Sequence, residues 1–264
     1  MQLVDIGINL AHSSYDPDRA AVLERARAAG VCQMVVTGSE LAGIERAVEL
    51  VRQYPGVLTA TAGIHPHHAS DHDAAATLSL RQWLARPEIS AAGECGLDYY
   101  RNYSPRAAQL ASFRAQLELA AACGKPVFLH QRDAHLAFIG VVKEFRPQLK
   151  RAVAHCFTGT VDEARACLDL DLHIGITGWI NDERRGQHLR EVVRFVPADR
   201  LMVETDGPYL MPRDLVPKPA SRRNEPMYLP HIVATVAAAR GESVEQTALA
   251  TTRSAREFFA LPSL

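Results

Sequence analysis

Eight short segments rich in branched apolar residues recur along this chain: "LVDIGINL", "CQMVVTG", "GVLTATAGIH", "EISAAGE", "PVFLH", "AVAHCF", "LHIGITG" and "LMVETD". They begin near residues 3, 32, 56, 88, 126, 152, 172 and 201. The mean spacing is about 28 residues, which suits one strand, one helix and two loops. Helical patterns lie between them, such as "DRAAVLERARAAG" and "PRAAQLASFRAQLELAAACGK", the second opened by Ser104-Pro105 and closed by Gly124. Eightfold strand-helix alternation calls for parallel βαβ units, and eight units at this length predict a (β/α)8 TIM barrel, with a doubly wound open sheet as the alternative. No linker or low-complexity tract marks a boundary, so residues 1–264 read as a single barrel domain. The final helices, "MYLPHIVATVAAARG" and "SVEQTALATTRSAREFFA", are expected to pack around its outside.

Composition narrows the function classes. A hydrophobic content of 47% supports a large core and excludes disorder. No apolar run approaches the roughly 20 residues of a membrane helix, and the N-terminus lacks a signal-peptide layout. A cytoplasmic protein with no membrane partner, acting as a monomer, is expected. Five cysteines without a C-x-x-C pair argue against a disulfide framework and against a thiolate zinc site. With 29 Lys+Arg against 30 Asp+Glu the net charge is −1, so a polyanion would need a local basic patch.

Functional groups of such a barrel come from the C-terminal ends of its strands. Here those ends read "GIHPHH", "GECGLD", "FLHQRDA", "AHCFTG" and "ETDGPY", which places His65, Glu94, His130, His155 and Asp206 at matching positions. Imidazoles and carboxylates at one mouth suit a divalent cation such as Zn²⁺, Mn²⁺ or Mg²⁺. Each residue alone also has a structural reading. A strand-end His is commonly a hydrogen-bonding group, Glu94 could cap a helix or pair with Arg101, Asp206 could belong to a turn, and Glu204 could be a structural carboxylate. Their joint placement favours chemistry. For a polyanion, "PRDLVPKPASRRNEP" is locally basic, with Arg213, Lys218, Arg222 and Arg223, although Arg223 or Glu225 could instead tie the loop down. Arg101, Arg132, Arg184 and Arg185 are further phosphate candidates, and Tyr99, Tyr100, Tyr103 or Trp179 could stack a base. His65 and His67 flank Pro66, where substrate contact and a structural hydrogen bond are both open readings.

The run "GIHPH", "GECGLDYYR", "HQRDA", "HCFTG", "IGITGW" and "ETDGPYLMP" followed by "RRNEP" resembles, in order and spacing, the TatD family of metal-dependent deoxyribonucleases. The resemblance implies a barrel of the metallo-dependent hydrolase superfamily and divalent-metal-dependent phosphodiester hydrolysis. It further implies 3′-to-5′ exonuclease action on single-stranded DNA, with RNA as a further substrate, and a role in DNA repair or degradation. By motif position, Glu94, His130 and His155 would be metal ligands, and Asp206 a ligand or the proton acceptor for the attacking water. His65, Arg132, Arg222 and Arg223 are the expected substrate contacts. An amidohydrolase-like enzyme is a second reading, but it commonly uses a carboxylated lysine on the fourth strand, where this chain has Glu94. A non-catalytic binding barrel is a third, and the intact Glu94, His130, His155 and Asp206 count against it.

The first strand departs from the family pattern. Val4, Ile6, Ile8 and Leu10 alternate with Asp5, Gly7 and Asn9, and the apolar set is expected to face the helices while the polar set faces inward. Many relatives carry D-x-H-x-H here, but this chain has Gly7 and Asn9 where the imidazoles would stand. One tightly held ion is therefore expected, Mg²⁺ foremost with Mn²⁺ or Zn²⁺ as alternatives, and a second ion only weakly or alongside substrate phosphate.

Overall fold

Every apolar segment forms a strand. The computed structural model describes residues 1–262. Its strands are β1 (Leu3–Ile8), β2 (Val31–Val36), β3 (Leu58–Ala62), β4 (Ile89–Asp98), β5 (Val127–Arg132), β6 (Ala152–Ala154), β7 (Leu172–Ile176) and β8 (Leu201–Val203). The crossovers carry α1 (Arg19–Ala28), α2 (Leu41–Gln53), α3 (Ala74–Leu84), α4 (Arg106–Cys123), α5 (His135–Phe145), α6 (Val161–Asp169) and α7 (Leu189–Phe195), and α8 (Leu229–Arg240) and α9 (Val244–Phe259) follow β8. The strands lie side by side in chain order, each parallel to the next. A doubly wound sheet would reverse its strand order midway, so the barrel is the architecture. No helix among the described residues is long and apolar enough to cross a membrane.

The seam between β1 and β8 is closed partly by a side chain. Asp206 donates its backbone N–H to the Gly7 carbonyl at 2.8 Å, and Asn9 donates to the Gly207 carbonyl at 2.8 Å. Between them the Asp5 carboxylate accepts the backbone N–H groups of Thr205 at 2.9 Å and Gly7 at 3.2 Å, and also the Thr205 hydroxyl. Asp5 thus satisfies donors that a regular ladder would have paired.

This assignment corrects the expected orientation of the first strand. His155 and Glu204 face the mouth, so Val153 and Met202, two residues earlier, line the same inner surface. Val4 and Ile6 belong to their cluster, together with Val35, Ala91 and Phe128. Leu3, Ile8 and Leu10 instead pack with helix residues such as Val22 and Val233. The pairing of β1 with β2 is irregular between Asp5 and Ile8, and an extra residue there turns both Ile6 and Gly7 inward while Asp5 stays at the seam. Phe258 and Phe259 of α9 join the inner cluster, so this helix plugs the N-terminal end of the barrel instead of only packing around it.

Helix α4 connects the fold to its mouth. Gly124 closes it in the left-handed conformation, as read from sequence, but Pro105 takes the N-cap position. The Ser104 hydroxyl is used elsewhere, donating to the His67 carbonyl at 3.0 Å and accepting the Ser70 N–H at 3.1 Å. Gln109 and Gln116 lie two turns apart on the buried face of α4. Gln116 accepts the Ile64 N–H at 2.8 Å and donates to the Ile64 carbonyl at 2.9 Å. Gln109 accepts the Asp98 N–H at 2.8 Å and donates to the carbonyls of Asp98 at 3.0 Å and Ser104 at 2.9 Å. The two amides act as substitute strand partners where β3 and β4 run out. Replacing Gln116 with Leu strands two buried backbone groups and is expected to cost about 2–4 kcal/mol in urea denaturation; a loss below half a kcal/mol would show that water replaces the amide.

Candidate metal and nucleic-acid site

Glu94 is the centre of the mouth. Its Oε1 lies 2.8 Å from His130 Nδ1, 2.8 Å from His155 Nε2 and 3.4 Å from His65 Nε2. Three strand ends, those of β3, β5 and β6, therefore turn an imidazole toward one carboxylate. Burial alone would push the Glu94 pKa up, but the fields of His155 and His65 and hydrogen bonds from His130 and His155 outweigh it and hold the carboxyl well below its ordinary range. His155 is shifted well upward against the effect of its own burial, by Glu94 and Glu204. His65 responds oppositely, because burial dominates and brings it down to about 4. It is a neutral imidazole near pH 7, the form that binds a metal.

Behind these groups stand others that orient them. Glu204 Oε2 lies 3.3 Å from His155 Nδ1, while its Oε1 accepts the Cys156 N–H at 2.5 Å. His155 thus meets a carboxylate at each ring nitrogen, Glu204 at Nδ1 and Glu94 at Nε2, and a carboxylate at Nδ1 is the arrangement that orients a metal-ligating histidine. Room for Glu204 comes from two glycines. A Cβ on Gly7 would fall inside van der Waals contact of Glu204 Oε2, and one on Gly175 would come 2.6 Å from Oε1. Gly7, read from sequence as a missing histidine, is thus the space that the Glu204 carboxylate fills. Asn9, at the other vacated histidine position, donates its amide N–H to Asp206 Oδ1 at 3.1 Å. Burial pushes Asp206 up to about 7, against the opposing field of His155.

Asp98, which sequence reasoning passed over, is also buried at this rim. It lies 2.8 Å from His67 Nε2 and 3.7 Å from His130 Nε2, and its Oδ1 accepts the N–H groups of Tyr100 and Arg101 at 3.0 and 2.8 Å. Its signal in the sequence was a second acid on the strand of Glu94, in "GECGLD".

The residues expected to touch substrate fare differently. His65 sits among the metal-type donors, with its ring centroid 4.5 Å from that of His130. Arg132 lies over the Tyr100 ring at 4.1 Å and forms no ion pair among the described residues. Arg222 is exposed on its loop. Arg223 is a correction, because its guanidinium bonds Asp18 at 2.7 and 2.8 Å, Glu225 at 2.7 Å and the Ser14 carbonyl at 2.6 Å, which leaves it anchoring the loop. Arg184 and Arg185 lean on Asp182 at 3.3 and 3.4 Å, and Arg185 also covers Trp179. The loops after β5 and β6 line an open pocket of 450 Å³ with Tyr99, Gln131, His135, Leu136 and Thr158 among others, none of them a member of the cluster. A larger one of 620 Å³, at the N-terminal end around Arg52, Lys125 and Phe259, contains none of the clustered imidazoles or carboxylates.

Ligand atoms of His65, Glu94 and His130 all lie within 4.8 Å of one another. Nitrogen and hard oxygen donors so spaced fit a divalent cation. A family model described as "TatD related DNase" matches residues 4–260. The chain belongs to this TatD-related DNase family. The 3′-5′ ssDNA/RNA exonuclease TatD of Erwinia tasmaniensis is 50% identical over 259 residues, covering 98% of this chain and 100% of the relative. The protein of the same name from Edwardsiella piscicida is 49% identical over 259 residues. Among solved structures, the TatD homologue YJJV of Escherichia coli superposes with a TM-score of 0.89 at 27% identity, covering 98% of both chains. A TatD family hydrolase from Entamoeba histolytica gives 0.90 at 24% identity over 99% of each chain, which shows the shared fold.

Within this TatD-type barrel the Asp5 carboxylate holds the seam together, and its pH dependence checks that assignment. Burial raises the Asp5 pKa from 3.8 to about 7, outweighing its hydrogen bonds from Thr205 and Gly7. A carboxyl whose folded pKa is raised contributes stability that is complete below pH 4 and is lost as pH climbs through 7. Asp5→Asn can keep the accepted N–H bonds and cannot ionise, so its stability relative to the native protein should improve between pH 5 and pH 8 in thermal melts. Parallel curves would show that Asp5 does not titrate in that window.

Proposed function

We propose that this chain is a divalent-metal-dependent 3′-to-5′ exonuclease that hydrolyses single-stranded DNA, and RNA, in DNA repair or degradation, as a cytoplasmic monomer. The observation that carries this reading is the Glu94 carboxylate met by three imidazoles at the mouth of a TatD-type barrel. The names of the half-identical, full-length relatives supply the substrate class.

Glu94, His130 and His155 would hold the cation, with His65 as a further donor and Asp206 facing the attacking water. When bound, a divalent cation there lowers the pKa of water and neutralises charge on the phosphate. Mg²⁺ is the expected ion, with Mn²⁺ and Zn²⁺ as alternatives. Glu204 fixes the tautomer and tilt of His155, and Asp98 limits the swing of His67 and His130. Asp206, held by Asn9 through Oδ1, keeps Oδ2 free to take the proton from water, and a pKa near neutrality suits a general base. Arg132, which forms no ion pair among the described residues, would meet a substrate phosphate.

End-labelled oligonucleotides test the reading. Chelator-treated protein should be inactive and should recover with Mg²⁺ or Mn²⁺, shortening a single strand stepwise from its 3′ end. Equal digestion by the stripped protein would sink the metal mechanism. Glu94→Gln should lower kcat on the order of a hundredfold or more, as removal of a charge-stabilising group does, with an unchanged circular dichroism spectrum.

A further inference from the structure

The loop after β4 displays two tyrosines to solvent, Tyr100 at 58% and Tyr103 at 65% exposure. Exposed aromatic rings are ordinary one at a time, but these two are held in place. The Asp98 carboxylate takes the N–H groups of Tyr100 and Arg101, Gln109 grips Asp98 and Ser104 from below, and Arg101 donates to the Tyr103 hydroxyl at 3.3 Å. The guanidinium of Arg132 lies 4.1 Å and that of Arg101 5.9 Å from the centre of the Tyr100 ring, which stays more than half exposed to a ligand. A chain of ring contacts then runs from this surface to the metal-type cluster. Tyr103 meets His67 at 4.7 Å, His67 meets His65 at 4.2 Å, and His65 meets His130 at 4.5 Å, all edge to face.

We infer that Tyr100 and Tyr103, with Arg132 beneath, form the platform that selects unpaired nucleotides for this site. The inference rests on the nuclease reading and deepens it. A base stacks on an exposed ring only if its own face is free, and in a duplex both faces are taken by neighbouring base pairs. A single strand offers every base, whatever its sequence. The alternative track, the connection bearing Arg222 and Arg223, offers one exposed ring, Tyr209, against two here, and Arg223 is spent on Asp18 and Glu225. In a chain of net charge −1, stacking supplies affinity that the overall field does not.

The test is equilibrium binding, by fluorescence anisotropy in chelator, of a labelled oligothymidylate and of the same strand in a blunt duplex. Tyr100→Ala and Tyr103→Ala should each weaken single-strand binding about tenfold, within the range of one base-aromatic stack, and change duplex binding far less. The salt dependence should stay the same, because no charge is lost. Tyr→Phe at either position should restore most of the affinity, whereas Arg132→Gln should flatten the salt dependence by about 0.7 in slope, one phosphate contact on a single strand. In hydrolysis assays with Mg²⁺ the loss should appear in KM. Equal weakening on duplex and single strand, or a double alanine variant that binds single strands as the native protein does, would overturn the platform. If the native protein hydrolyses no oligonucleotide, the nuclease reading falls, and the binding ratios still decide the platform.

Discussion

A carboxylate taken out of water must be met by charge or by donors, and the mouth of this barrel is organised around meeting that demand for Glu94. Removing such an ion from solvent costs several kcal/mol, which only well-placed partners offset. Three partners arrive from three different strands, so the demand fixes how far β3, β5 and β6 extend and which way their last residues turn. Gln109 and Gln116 serve the same end, since a single helix holds the terminal turns of β3 and β4 at a constant separation. The charge is therefore stabilised only by the complete barrel, and the barrel's own regularity brings the ligands together.

A second buried carboxylate, Glu204, explains what the first strand lacks. Its two oxygens engage His155 and the Cys156 N–H, and they fill the volume beside positions 7 and 175, both glycine. An imidazole at position 7 would compete for that volume. The Glu204 carboxylate that orients His155 and a side chain at position 7 would thus claim a single packed space, and this chain has the carboxylate and a glycine. The bulge that turns Gly7 inward belongs to the same solution, because it brings the strand closest to Glu204 where no side chain intervenes.

The eight strands were legible because their signal is repeated eight times, with a helical pattern in each interval, and errors at single positions average out. Most strand-end acids and histidines were legible for the same reason, since the fold assigns them to one rim, but Asp98 was passed over behind Glu94 on the same strand. Three further features were not legible. Facing along β1 was misread because alternation assumes an unbroken register, and a bulge leaves no mark in the residue types. The role of Arg223 depends on Asp18, which is 205 positions away in sequence. Gln109 and Gln116 read as ordinary polar residues of a helix, because only the ends of the neighbouring strands reveal what their amides must satisfy.

Position 9 acts on the mouth through a hydrogen bond. An imidazole there would offer a lone pair to a cation. The Asn9 amide offers an N–H, and its partner is Asp206 Oδ1. A carboxylate that accepts one fixed hydrogen bond has one oxygen committed and the other aimed, which is the geometry a proton acceptor requires. Burial then raises its affinity for a proton toward neutrality. On the proposed reading, Asn9 in place of a ligating imidazole leaves Asp206 to serve as the base.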